Sequence, residues 1–169
     1  MKVIISVFIF VSGIITSAAQ IVNSVEKFAL PVNLSESSGA IFFNNKLITH
    51  NDSGGENKLF ELDTLSGLVT RTITISNAIN IDWEDITQDD TSIYIGNIGN
   101  NVSGNRTDLK IYKISKSDYL SSETINAQTI AFSYSDQTDL TPVSANNTEW
   151  DSEAIVSFDS GNLILFSKN

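Results

Sequence analysis

Two Asp-x-Glu pairs, Asp82-Trp83-Glu84 and Asp151-Ser152-Glu153, are the groups in this sequence best suited to chemistry. Side chains two apart on an extended strand point to one face, so each pair presents two carboxylates together. Shifting the chain by 46 residues superposes Asn51 on Asn97, each just past an apolar run that predicts an inner strand. Carboxylate and amide oxygens suit a hard cation such as Ca²⁺, which takes about 6 to 8 of them. Glu84, Asn97 and Glu153 are the candidate metal ligands. The wider candidate ligand-binding set adds Asn51, Asp52, Asp82, Arg106 and Asp151. The competing reading has these acids accept backbone N–H hydrogen bonds and tie neighbouring strands together, with no metal.

Other chemistries find little support. There is one histidine, His50, no cysteine and no Gly-x-Ser-x-Gly, so a nucleophilic triad lacks its parts. His50 beside Asn51-Asp52 could act as a base, but a lone histidine at a strand end is more often a packing residue. Gly96, Gly99 and Gly104 lie in an Asn-rich turn with no following helix and no Lys-Ser/Thr, which excludes a P-loop. Asp52-Ser53-Gly54-Gly55 and Asp89-Asp90 read as turns without EF-hand spacing. Trp83 and Trp150 could stack on a sugar or peptide, though large aromatics beside strands more often pack between sheets. Arg106 could grip a carboxylate or phosphate, or pair structurally with Asp82, Asp85 or Asp108.

The elements that must position these residues are strands. Helical periodicity is almost absent, and short β-branched and aromatic runs alternate with Asn, Asp, Gly and Ser clusters. Strands are predicted near 40–43, 46–50, 58–62, 68–75, 92–98, 109–114, 127–134, 155–158 and 163–167. In Leu68–Ile75 the alternation puts Val69, Arg71, Ile73 and Ile75 on one face.

Internal repetition is the most informative pattern. The 46-residue shift aligns Ser38-Gly39-Ala40 with Glu84-Asp85-Ile86 and Leu47–Asn51 with Ile93–Asn97. A shift of 69 aligns Asp82-Trp83-Glu84 with Asp151-Ser152-Glu153, and the 23 extra residues are expected between Ser115 and Asn147. Repeats of about 40 to 50 residues with about four short strands are the signature of propeller blades. The predicted fold is therefore all-β, the front of an incomplete β-propeller of about two and a half units, with a β-sandwich as the alternative.

The ends and the composition set location and partners. Lys2, the apolar run Val3–Ile15 and Thr16-Ser17-Ala18-Ala19 follow the order of a secretory signal peptide, giving a signal over 1–19 and a propeller domain over 20–169. The run is too short for a span of about 20 apolar residues, and no later stretch is long enough. Export without cysteines is more typical of bacteria, so a secreted or cell-surface bacterial location is expected. Without the signal the chain carries nine Lys and Arg against twenty Asp and Glu, a net charge of −11. Nucleic acid is a poor match to that charge. The expected partner is a small molecule, a glycan or a protein.

The segments Asp82-Trp83-Glu84-Asp85-Ile86, Tyr94-Ile95-Gly96-Asn97-Ile98-Gly99-Asn100-Asn101, Arg106 and Ile111-Tyr112-Lys113-Ile114 resemble a family of uncharacterised secreted bacterial β-propeller proteins. His50-Asn51-Asp52-Ser53-Gly54, Asp151-Ser152-Glu153-Ala154 and Phe166-Ser167-Lys168-Asn169 extend the likeness over nearly all of the chain after the signal. That resemblance implies fold and export but no reaction. Where such proteins carry Gly-Asp in the loop, Gly96-Asn97 stands here, with one charge fewer. A looser similarity, in residue types only, is to the calcium-dependent gluconolactonase and strictosidine-synthase-like six-bladed propellers. Two functional classes follow: a non-enzymatic recognition or scaffold protein, and a calcium-dependent hydrolase or lactonase acting at the propeller mouth.

Overall fold

The computed structural model describes residues 26–159 and 161–168. The stretch read as a signal peptide lies outside the described residues. The first sheet is an antiparallel meander of β1 (Ser37–Phe43), β2 (Lys46–Asn51), β3 (Lys58–Leu62) and β4 (Val69–Ile75). The second starts with β5 (Trp83–Gln88), β6 (Ser92–Asn97) and β7 (Lys110–Ser115). A short helix, α1 (Lys116–Ser121), and strand β8 (Thr124–Ile125) intervene before β9 (Gln128–Ala131) completes that sheet. A hairpin of β10 (Ser152–Asp159) and β11 (Asn162–Ser167) follows. The fold is all-β in stacked layers, and among the described residues no sheet closes into a barrel or ring. Layered sheets also suit the sandwich alternative.

Local chemistry explains these elements. Asn44 and Asn45 both hold positive φ, 49° and 60°, as a two-residue hairpin loop between right-twisted strands requires. α1, absent from the sequence reading, is capped by Ser115, whose hydroxyl accepts the Asp118 N–H at 3.0 Å. Strand β8 turns back and pairs in parallel with β4, Thr74 opposite Thr124 and Ile75 opposite Ile125. The insertion is fixed there by Arg71. Its guanidinium meets Glu61 Oε1 at 3.1 Å and donates to the carbonyls of Tyr119 at 2.7 Å and Ser122 at 2.6 Å. The buried Tyr119 hydroxyl donates to the same Glu61 oxygen at 2.9 Å.

A bulge between Glu61 and Leu62 corrects the predicted face of one residue. Arg71 pairs with Glu61, but Val69 pairs with Leu62, which moves Val69 to the opposite face and into a cluster with Leu34, Phe60 and Leu62. Arg71 and Ile73 keep their expected face, toward the second sheet.

The repeat is visible in the pairing register. Ser37 faces Asn51 and Ala40 faces Thr49; Trp83 faces Asn97 and Asp85 faces Gly96; Ser152 faces Ser167 and Ala154 faces Phe166. Each first strand thus carries one extra residue at the same place. The additional residues of the second unit are spread wider than expected: some lie in α1 and β8, some in 132–151, and others in the 98–109 connection, which corresponds to 52–57 in the first unit.

Side chains of alternating direction make the layers. Ile41, Ile48, Leu59 and Ile73 of the first sheet meet Ile86, Ile93, Ile95 and Tyr112 of the second. Tyr94, Ile98 and Ile111 on the second sheet's other face meet Ile155, Leu163 and Leu165 of the hairpin. Each fully buried aliphatic side chain contributes about 1.5–3 kcal/mol. Polar ties join the layers: Gln88 Nε2 donates to the Phe42 carbonyl at 2.8 Å, and the N–H groups of Ile155 and Ser157 donate to Asp85 Oδ2 at 2.9 Å and Thr87 Oγ1 at 3.1 Å. This stacking sets the starts of β5 and β10 beside the end of β2.

Candidate functional site

Five carboxylates converge where these strands begin and end. Oxygens of Asp52, Asp82 and Glu84 lie within 4.8 Å of one another, and so do oxygens of Glu84, Asp151 and Glu153, with Glu84 common to both groups. Asp82 and Glu84 are each only 7% exposed. Among the described residues no donor reaches either carboxylate. Asp82 is held through its backbone: its N–H donates to Asn97 Oδ1 at 3.0 Å, and its carbonyl accepts from Ile98 and Gly99.

Asp151 is buried, and its Oδ1 accepts the Asn100 N–H at 2.7 Å. Among the described residues its Oδ2 has no hydrogen bond, and Lys168 Nζ stands 3.5 Å from it. Lys168 gives its closer contact, 2.6 Å, to the more exposed Glu153. Lys168 therefore partly neutralises one end of the cluster, whereas among the described residues no salt bridge reaches Asp52, Asp82 or Glu84.

The electrostatics follow from this crowding. Burial, then the charges of Asp52, Glu153, Asp82 and Asp151, push the Glu84 carboxyl up from 4.5 to about 8. Asp82 is raised mainly by burial and by Asp52, with the Arg106 guanidinium acting the other way. In neutral solution without a cation Glu84 is mostly protonated, which is how the cluster tolerates its own repulsion.

Gly99 shapes the floor. A Cβ there would stand 2.2 Å from Glu84 Oε1 and 2.3 Å from Asp82 Oδ2, so only glycine lets the 98–109 loop close against the acids. Arg106 ties that loop down: Nε donates to Asp108 at 3.0 Å, Nη1 to the Gly99 carbonyl and Nη2 to Asn97 Oδ1 at 3.4 Å. Of the three acids weighed as its ion-pair partner, Arg106 meets Asp108.

The other candidates fall around this centre. Asn97 is fully buried and spends its amide oxygen on Asp82 and Arg106, behind the carboxylates. Asn51 occupies the matching place in the first unit; its Nδ2 donates to the Asn33 carbonyl at 2.9 Å, and its buried Oδ1 has no partner among the described residues. Trp83 is fully buried between sheets, with His50 edge-on at 5.7 Å, so it is closed to a sugar. His50 donates from Nδ1 to the Asn51 carbonyl at 3.0 Å, burial lowers its pKa, and its Nε2 has no partner among the described residues. Trp150 packs against Tyr134, centroids 5.4 Å apart.

Asp151, accepting the Asn100 N–H, makes the kind of tie between units that the competing reading gave to the Asp-x-Glu acids, and Asp85, outside both pairs, adds another, its two oxygens accepting from Ile86 and Ile155. Gly99, Asn100 and Lys168 build the site and were not singled out for it from sequence; the glycine spacing of the 96–101 loop was the available signal. Beside Asp82, a cleft of about 140 Å³ is lined by Ser53, Ile81, Asn101, Ser103 and Arg106.

The fold and site define an all-β protein of several stacked sheets with a carboxylate cluster where they meet. No protein-family model matches the chain, and no curated protein matches it.

Proposed function

We propose that this chain is a propeller-type recognition or scaffold protein, exported by a bacterium, in which a divalent cation such as Ca²⁺ at the five-carboxylate cluster joins successive units and completes the binding rim. One observation carries the reading: Asp82 and Glu84, both more than nine-tenths buried and without a hydrogen-bond donor among the described residues, bring their carboxylates close to each other and to Asp52, and Glu84 also to Asp151 and Glu153. Burying such charges is costly unless something positive compensates them. Asp52, Asp82 and Glu84 would hold the cation, Asp151 and Glu153 would extend the oxygen set past Glu84, and Asn97 would hold Asp82 in place. The propeller is supported by three units that open with the same bulged hairpin and by first strands that lie beside one another in chain order.

A recognition role fits better than nucleophilic catalysis because His50 is buried against Trp83 and Arg106 is spent on its own loop. The calcium-dependent hydrolase reading keeps one supporting observation, the cleft beside Asp82 with Glu84 near neutrality. Calorimetric titration with Ca²⁺ of the chain and of a Glu84→Gln, Glu153→Gln double variant tests the cation. Binding heat that the double variant lacks is expected. No heat in either, with a large stability loss in the variant, would leave a structural acid cluster. Calcium-dependent turnover in a lactone screen would move the reading to the hydrolase.

A further inference from the structure

We propose that the cleft beside Trp150 is a carbohydrate-binding subsite. The second unit carries two insertions relative to the first: the 98–109 connection, which stands where the first unit has 52–57, and the segment 132–151, in which no residue belongs to a helix or strand. Connections of that length are uncommon in compact domains unless they are disordered or bind something. This one is tied down. Val143 and Asn146 donate their N–H groups to the carbonyls of Ser103 at 3.0 Å and Asn101 at 2.7 Å, and Gln137 Nε2 donates to the Gly104 carbonyl at 2.7 Å. Gly104 permits the close approach: its φ is 66°, and a Cβ there would stand 2.8 Å from Thr148 Cβ. The two insertions thus hold each other, and in repeat architectures such insertions gather on the face that binds.

The cleft they form has a volume of about 260 Å³, and its lining includes Gly104, Asp139, Thr141, Asn147, Glu149 and Trp150. Trp150 is held fast. Its N–H donates to Thr148 Oγ1 at 3.1 Å, its carbonyl accepts from Asn100 Nδ2 at 3.2 Å, and its ring packs on Tyr134, whose hydroxyl shares a hydrogen bond with Ser152 Oγ at 2.5 Å. The indole is only partly buried, and its Nε1–H has no acceptor among the described residues. A fixed aromatic ring with an unspent donor is an anchor that loses little freedom when a ligand arrives.

The donors and acceptors select the ligand. The Asn147 amide and the Glu149 carboxylate make no hydrogen bond among the described residues, and Asp139, whose Oδ1 accepts the Thr141 N–H at 2.8 Å, adds a second carboxylate. The cleft therefore offers donors from Trp150 and Asn147 and acceptors from Glu149 and Asp139. An ammonium group only donates and leaves the indole and amide donors unmatched, while an anion meets two carboxylates. A sugar hydroxyl both donates and accepts at one atom, and the C–H face of its ring lies well against an indole. The carboxylates further favour a neutral sugar over an acidic one. Drug-sized ligands occupy pockets of roughly 300 Å³ and more, so a cleft of this size suits a stretch of a longer glycan.

This inference rests on the recognition reading and makes no use of the cation. The test is tryptophan fluorescence of the whole chain, with acrylamide as quencher, titrated with cellohexaose, laminarihexaose, xylohexaose, mannohexaose and chitohexaose. The chain has two tryptophans and Trp83 is fully buried, so shielding from the quencher reports on Trp150. At least one sugar should shield the indole, with the same affinity at low and high salt. Asn147→Ala and Asp139→Asn should each weaken that sugar about fivefold or more, as the loss of a hydrogen bond does. Both residues are exposed, and an unchanged melt shows that the variants fold. Trp150→Ala should leave no heat of sugar binding in calorimetry. No shielding by any of the five sugars overturns the proposal. So does shielding that survives both substitutions, which places the sugar elsewhere, and so does a lysine-rich peptide that binds in preference and is released by salt. Ca²⁺ titration of the same samples keeps the two readings apart: Ca²⁺ heat without sugar binding sinks this subsite alone, and sugar binding without Ca²⁺ heat sinks the cation alone. Lactone turnover would change the recognition reading and leave the sugar result to stand or fall by itself.

Discussion

Replacing Glu84 with glutamine should make the cation-free protein more stable, and increasingly so as pH rises. The carboxyl sits at about 8 in the fold against an ordinary 4.5. Between those values the folded chain holds a proton that the unfolded chain has released, so stability falls as pH rises through this window and levels off above the folded value. Glutamine has no proton to lose and escapes that penalty. At about 1.4 kcal/mol per pH unit the ceiling is roughly 5 kcal/mol. The half-exposed Asp52 and Glu153 are screened by solvent, which reduces the expected gain to about 2–3 kcal/mol above pH 8, with little difference near pH 5. The assay is urea denaturation of both proteins in chelator over that pH range. Saturating Ca²⁺ should reverse the order, because the parent gains binding free energy that the variant lacks. A variant less stable than the parent at pH 9 in chelator would refute the argument and show that Glu84 makes a structural bond.

Gly99→Ala should abolish Ca²⁺ binding and lower stability by about 1–3 kcal/mol, since its methyl would occupy the space held by the Glu84 and Asp82 oxygens; calorimetry and a thermal melt read the two effects. Asp85→Ala should cost about 2–4 kcal/mol in chemical denaturation by leaving the N–H groups of Ile86 and Ile155 without their acceptor, while Ca²⁺ binding is weakened far less than by Glu84→Gln. Arg71→Ala should cost about 2–4 kcal/mol because Glu61 stays buried without its cation; hydrogen exchange should rise first in α1 and β8.

The strands and their repetition were legible because burial on alternating faces writes a period-two pattern into the sequence. Lys58–Leu62 falls where the apolar pattern placed it, and the superposition of Asn51 on Asn97 survives as a shared pairing position. α1 was not legible: it has only six residues, and its stability comes from the Ser115 cap and from Tyr119 docking on Glu61, a residue distant in sequence. Val69 was misplaced because a bulge shifts one residue without altering the apolar pattern around it. At the site, the Asp-x-Glu pairs announced themselves by recurrence. Gly99 and Lys168 did not, because a close backbone approach and a cross-strand ion pair exist only once the layers are stacked.

The parallel pairing of β8 with β4 has a consequence for how the chain folds. Thr74 and Ile75 wait for Thr124 and Ile125, and Arg71 waits for the carbonyls of Tyr119 and Ser122, so the first sheet receives its last strand only after most of the second unit has been made. In arrays whose units touch only along their faces, folding can begin in any unit and spread. Here the early unit is sealed by a late segment, which raises the mean sequence separation of contacts and slows folding. During synthesis the first meander would stand with an open β4 edge until that segment emerges.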